Sequence, residues 1–196
     1  MPIDATVGGA DSNSFATVAE ADAYFEFRLF AELWDDASTA TKEKALVTAA
    51  RIITARVKED WTLTQLPGDA TIKILTDVGD DASTYLVWKG VKADQDQAIP
   101  WPRSGIADVA DDVIPDEIKA LQFEVALLSL GGDRTVENAP TAQGLTGLTA
   151  GPVSLSWKDG APNPRLIPVA LLQTLPASWW YAFRLEQRYR ASVEII

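Results

Sequence analysis

Apolar residues recur at helical spacing in four stretches of the chain. In the first, Ala21, Tyr24, Phe25, Leu29 and Leu33 advance by steps of three and four or close to it. Thr17 and Glu20 have the spacing of a capping box, so a helix is expected to open at Thr17. Trp34 closes that pattern and Asp35-Asp36 break it. A second helix is expected from Thr41 to Glu59, capped at Ser38 or Thr39. Its apolar stripe is Leu46, Ala49, Ala50, Ile53 and Val57, with Lys42, Glu43, Lys44, Arg51 and Lys58 largely on the other face. A third begins near Pro115, where Asp116 and Glu117 suit the positive end of the helix dipole. Ile118, Leu121, Val125 and Leu128 mark its core face, Phe123, Leu127 and Leu130 widen it, and Gly131-Gly132 stop it. A short fourth helix is expected from Pro164 to Leu175, with Ile167, Leu171 and Leu175 on one side and Pro176 ending it.

The alternating period of strands is rarer. Val153, Leu155 and Trp157 alternate with Ser154, Ser156 and Lys158, which predicts a hairpin within 133–160. Residues 60–85 read as an insertion that contains two turn signals, Pro67-Gly68-Asp69 and Gly79-Asp80-Asp81. Within it Ile72, Ile74 and Leu75 fit either a short strand or one helical turn. In Ile99-Pro100-Trp101-Pro102 each proline holds its predecessor extended, and the tryptophans call for an ordered loop. The expected fold is therefore mainly α: a small four-helix bundle with a projecting β-hairpin and an extended C-terminal arm. The expected division is a helical domain over 1–175 and an arm over 176–196. Tyr24, Phe25, Leu29, Leu46, Ile53, Ile118, Leu121, Val125 and Leu128 are the expected core.

Charge and composition narrow the chemistry. Lys and Arg total 17 against 28 Asp and Glu, a net charge of −11, which disfavours general contact with phosphate backbones. The chain has no Cys and no His, which excludes thiol and Ser-His nucleophiles and Cys/His zinc sites. The doublets Asp35-Asp36, Asp80-Asp81 and Asp111-Asp112 read as solvated turn charge, since adjacent carboxylates diverge. Neither Gly8-Gly9 nor Gly131-Gly132 belongs to a phosphate-loop motif. No catalytic residue, cofactor or metal is expected. Met1-Pro2-Ile3-Asp4 lacks the marks of a signal peptide, and apolar runs fall short of the roughly 18 residues of a membrane span.

Seven Trp is a high count for 196 residues. Trp88 lies near Lys89 and Lys92, and Trp101 near Arg103, the combination by which single-stranded nucleic acid is stacked and neutralised. Asp94, Gln95, Asp96 and Gln97 lie between them, so the favoured reading makes Trp88, Trp101 and Arg103 anchors of a loop on the helical core. The tail carries Trp179, Trp180, Tyr181, Phe183 and Tyr189 interleaved with Arg184, Arg188 and Arg190. From Pro176 to Ile196 three Arg stand against two Glu, +1, which leaves −12 for residues 1–175. Because Pro176 stops a helix, this tail is expected to leave the body and dock on a partner or neighbouring subunit. A chain lacking residues 177–196 is then expected to stay soluble and helical.

Ser14-Phe15-Ala16-Thr17-Val18-Ala19-Glu20-Ala21-Asp22-Ala23-Tyr24-Phe25 together with Gln97-Ala98-Ile99-Pro100-Trp101-Pro102-Arg103-Ser104-Gly105 is a fairly specific pair of motifs. Over roughly residues 10–175 the chain resembles a family of small tailed-bacteriophage proteins similar to head–tail adaptors. The same family is also labelled DnaT-like and single-stranded-DNA-binding. The adaptor resemblance implies a structural, non-enzymatic virion protein of the neck, assembled in the host cytoplasm. It implies a homo-oligomeric, dodecameric ring between the capsid portal protein and the next neck or tail protein. DNA would pass the lumen without specific binding, and no membrane is involved. The other label implies a single-stranded-DNA-binding replication protein using Trp88, Trp101, Lys89, Lys92 and Arg103. Acidic charge favours the adaptor expectation of the two.

Overall fold

The computed structural model describes residues 2–58, 70–75, 84–133, 147–150, 153–156 and 167–187. Thr17 caps α1 (Val18–Phe25) through a complete capping box: its backbone N–H donates to Glu20 Oε2 at 2.8 Å, and Glu20 N–H donates to Thr17 Oγ1 at 3.3 Å. A single turn, α2 (Glu32–Asp35), precedes α3 (Thr39–Arg56), which Ser38 caps. The helix α4 (Asp116–Leu130) begins after Pro115 and packs along α3. Near the end of the chain lie the one-turn α5 (Val169–Leu172) and a 3-10 turn, Ala177–Trp179.

Two longer helices are too few for a four-helix bundle, and the expected fold is corrected on that point to a mixture of helices and sheet. The strands β1 (Val57–Lys58), β2 (Ala70–Leu75), β3 (Thr84–Trp88) and β8 (Trp180–Gln187) form one sheet in the order β1-β3-β8-β2. β1 pairs with β3 in parallel, while β8 runs antiparallel to both β3 and β2. Two short pairs lie outside it: β4 (Val91–Lys92) with β5 (Arg103–Ser104), and the hairpin β6 (Gly147–Ala150) with β7 (Val153–Ser156). The undecided Ile72-Leu75 stretch is strand, and Trp157 of the expected hairpin lies outside the described residues.

The core joins helices to sheet. Leu46, Ala49, Ile53, Ile118, Leu121 and Val125 are buried between α3 and α4, and Val57, Leu86, Trp88 and Trp180 continue it into the sheet. Gln122 is buried at the centre of the helical part. Its Oε1 accepts from Phe15 N–H at 3.1 Å, and its Nε2 donates to Ser14 Oγ at 2.7 Å and to Leu46 O at 2.9 Å. One α4 side chain thus ties α3 and the lead-in segment together by hydrogen bonds that a buried amide must make.

Two periodicities misled. The first helix ends at Phe25, so Leu29, at 77% exposed, and Leu33, at 54%, are not core. Trp34 takes their place: it stacks on Phe25 at 4.8 Å, and its Nε1 donates to Asp22 Oδ1 at 2.8 Å. The expected arm is corrected as well. The helix ends at Leu172, short of Pro176, and Pro176 instead opens the Ala177–Trp179 turn through which the chain comes back and lays β8 between β3 and β2. Trp179 and Trp180 are large enough that packing in the protein's own core outweighs leaving them for a partner.

An ionic node pins the chain after α1. Arg28 donates through Nε and Nη2 to the two carboxylate oxygens of Glu124 at 2.6 and 2.9 Å, and Tyr24 Oη donates to Glu124 Oε1 at 2.8 Å. Burial pushes Glu124 up, but hydrogen bonds from Arg28 and Tyr24 outweigh it and hold the carboxyl below its ordinary value. Burial, and then the bond to Glu124, push the Tyr24 hydroxyl up to about 12. A raised folded-state value means the folded chain holds this proton more tightly, so stability is lost as pH rises from the ordinary tyrosine value towards about 12. Urea unfolding across that range should show a decline that is shallower in Tyr24→Phe; identical slopes would contradict the assignment.

Candidate nucleic-acid interface

The tryptophans proposed for stacking or anchoring are inside the molecule. Trp88 and Trp101 are buried edge to face at 5.5 Å, and Trp179 joins them with its ring 5.5 Å from Trp101. The Lys89 N–H donates to Trp179 O at 2.8 Å, fastening the returning chain to the end of β3. Arg103 is 1% exposed and spends its guanidinium on backbone carbonyls: Nε to Lys89 O at 2.8 Å, Nη1 to Pro100 O at 3.1 Å and Nη2 to Gly90 O at 2.8 Å. Gly90 has φ +67°, and a Cβ there would stand 2.2 Å from Ser104 O, so only glycine allows this close turn. None of Trp88, Trp101 and Arg103 can face a nucleotide without unpacking the core.

Of the tail residues, Tyr181 is half exposed and Lys89 Nζ stands 4.7 Å from its ring centre. The ladder sets Val87 opposite Tyr181, Tyr85 opposite Phe183, and Lys73 and Thr84 opposite Arg184. Arg188, Tyr189 and Arg190 lie outside the described residues. Lys92 Nζ donates to Gln97 O at 3.1 Å and helps hold the loop before Trp101.

A different surface brings positive charge together. Thr41, Lys44, Thr48 and Arg51 follow one another by three, four and three residues, so they share one face of α3. That face and the C-terminal end of α4 enclose a groove of about 390 Å³. Lys44 and Arg51 line it beside the hydroxyl-bearing Thr41, Thr48 and Ser129, over Ala45, Ile52 and Leu130, with Asp133 at the end. Among the described residues neither Lys44 nor Arg51 is held by a carboxylate. Lys42 and Lys119 differ: their ammonium groups pair with Asp22 at 2.9 Å and Glu20 at 2.7 Å. Sequence reading placed Lys44 and Arg51 on a solvated helix face. The missed signal was the 3-4-3 spacing that aligns both cations with two hydroxyls. No set of three acidic, Cys or His groups that could hold a metal occurs among the described residues.

A mixed helix-and-sheet domain with a cationic groove on an acidic body is the class of protein these features define. A family model described as "Putative DnaT-like ssDNA binding protein" matches residues 1–70 and 80–185, and the chain belongs to that family. No curated protein and no solved structure matches it. The family finding overturns the head–tail adaptor expectation, because the matching description is of single-stranded DNA binding and nothing found supports a place beneath a portal. Overall acidity misdirected that choice: net charge governs the far field, whereas binding depends on where the unpaired cations sit.

Proposed function

We propose that this chain is a binding protein, not an enzyme, and that its ligand is single-stranded DNA. Family membership over most of its length carries the reading. The α3–α4 groove is the proposed seat of the DNA backbone. Lys44 and Arg51 donate to phosphate oxygens there, and neither must first give up a carboxylate partner. Thr48 supplies a hydroxyl suited to a further phosphate oxygen, whereas the Ser129 hydroxyl is already donated to Val125 O at 2.8 Å and Thr41 Oγ1 is hydrogen-bonded to Ser38 Oγ at 2.9 Å.

Such a site predicts weak salt dependence. Two neutralised phosphates give a log–log slope of about −1.4, so a fourfold rise in salt lowers affinity by about sevenfold. Fluorescence anisotropy with a labelled oligonucleotide at low salt tests this. The wild-type chain is expected to bind, and Lys44→Glu with Arg51→Glu to bind about tenfold more weakly or worse while keeping its far-UV circular dichroism. Undiminished binding by that variant would remove the groove from the proposal, and no binding by the wild-type chain would remove the function.

A further inference from the structure

Among the described residues, the most exposed of the large apolar side chains lie between α1 and α3. Phe27 is 87% exposed and Phe30 79%, with Leu29 and Leu33 beside them in sequence. This segment is held open by its neighbours. Phe25, Ala31 and Trp34 are buried on either side of it, and the Arg28 guanidinium grips Glu124 while donating to Leu29 O. Phe30 sits at φ +60°, a conformation that a bulky residue rarely adopts. A strained, anchored turn carrying two bare phenyl rings has the character of an interaction surface.

Charge decides what it receives. Glu26, Glu32, Asp35 and Asp36 surround the rings in sequence; all four are exposed and none has an ion-pair partner among the described residues, whereas Arg28 pairs with Glu124. Such a rim repels phosphate, so the rings are not a stacking platform for DNA. It also repels a second copy of itself, so a symmetric loop-to-loop dimer is disfavoured. The occupant must be apolar and carry cations. This chain has such a segment: 188–196, immediately after β8, sets Tyr189, Val193, Ile195 and Ile196 beside Arg188 and Arg190, and with Glu194 its only acidic side chain it keeps a net charge of +1 from its side chains. Its nine residues could extend about 30 Å, enough to reach a neighbouring molecule.

We infer that the Phe27–Leu33 loop of one copy receives the 188–196 segment of a second copy. The rings take the apolar residues, and Glu32, Asp35 and Asp36 take Arg188 and Arg190. Loop and segment are different surfaces, so the contact is head-to-tail, and it either closes into a ring or continues as a chain of subunits.

Sedimentation analysis of the full chain and two variants tests the inference. The wild-type protein is expected to associate as concentration rises. Phe27→Ser with Phe30→Ser, and separately a chain ending at Gln187, are expected to remain monomeric with wild-type circular dichroism. Each lost anchor weakens association by about thirtyfold. Mixing the two variants leaves one intact loop to meet one intact segment, so a 1:1 pair that grows no further is expected. A monomeric wild-type chain, a truncated chain that associates normally, or a mixture that forms no pair would each overturn the inference. Lys44→Glu with Arg51→Glu should associate as the wild type does, so failure here and failure of DNA binding are separate results.

Discussion

A chain ending at Pro176 is expected not to fold. Trp179 and Trp180 are core residues, and β8 occupies the space between β3 and β2. Removing one large buried aromatic side chain typically costs about 3–5 kcal/mol. Losing two of them brings the cost to the scale of a whole domain's stability, about 5–15 kcal/mol. The truncation also strips β2 of its ladder partner and exposes one edge of β3. Circular dichroism and urea titration should show no cooperative transition, whereas a chain ending at Gln187 should unfold like the full protein. Cooperative unfolding of the shorter chain would show that β8 is dispensable.

Arg103→Leu should be the most damaging single change in the loop that follows β3. Leucine fills much of the volume but donates nothing to the carbonyls of Lys89, Pro100 and Gly90. Each buried acceptor left without a donor costs about 1–3 kcal/mol, so a loss of about 3 kcal/mol or more is expected from chemical denaturation. Arg103→Lys should recover only part of it, because an ammonium cannot reproduce the three-way geometry of the guanidinium. A loss below about 1 kcal/mol for the leucine variant would mean that the carbonyls find other donors.

Local signals in this sequence were legible where they were self-sufficient. The Thr17–Glu20 capping box, the Ser38 cap and the Pro115 start of α4 each depend on residues within a few positions of one another. The Leu46–Ile53 and Ile118–Val125 stripes were long enough to identify both main helices. The sheet was not legible, because its pairing is non-local. Nothing in Trp180–Gln187 shows that it will sit against residues nearly a hundred positions earlier. Leu29 and Leu33 kept the helical period past the end of their helix, because Asp22 and Phe25 engage Trp34 and the turn between is left outside. The candidate groove was hidden differently. Lys44 and Arg51 look like ordinary solvated charges until the lack of a carboxylate partner among the described residues is seen beside the well-paired Lys42 and Lys119.

The strand order also sets a schedule for biosynthesis. The last of the described strands to leave the ribosome is the one that belongs between two strands made about a hundred residues earlier. Until it arrives, β2 and β3 have no ladder between them, and the side of the core that Trp179 and Trp180 close is open. The α3–α4 pair, built from nearer contacts, can dock first, but the sheet must wait for the C-terminal segment. The nascent chain therefore carries unpaired strand edges and the bare indole rings of Trp88 and Trp101 for about half of its synthesis, the period in which such surfaces invite association with other chains.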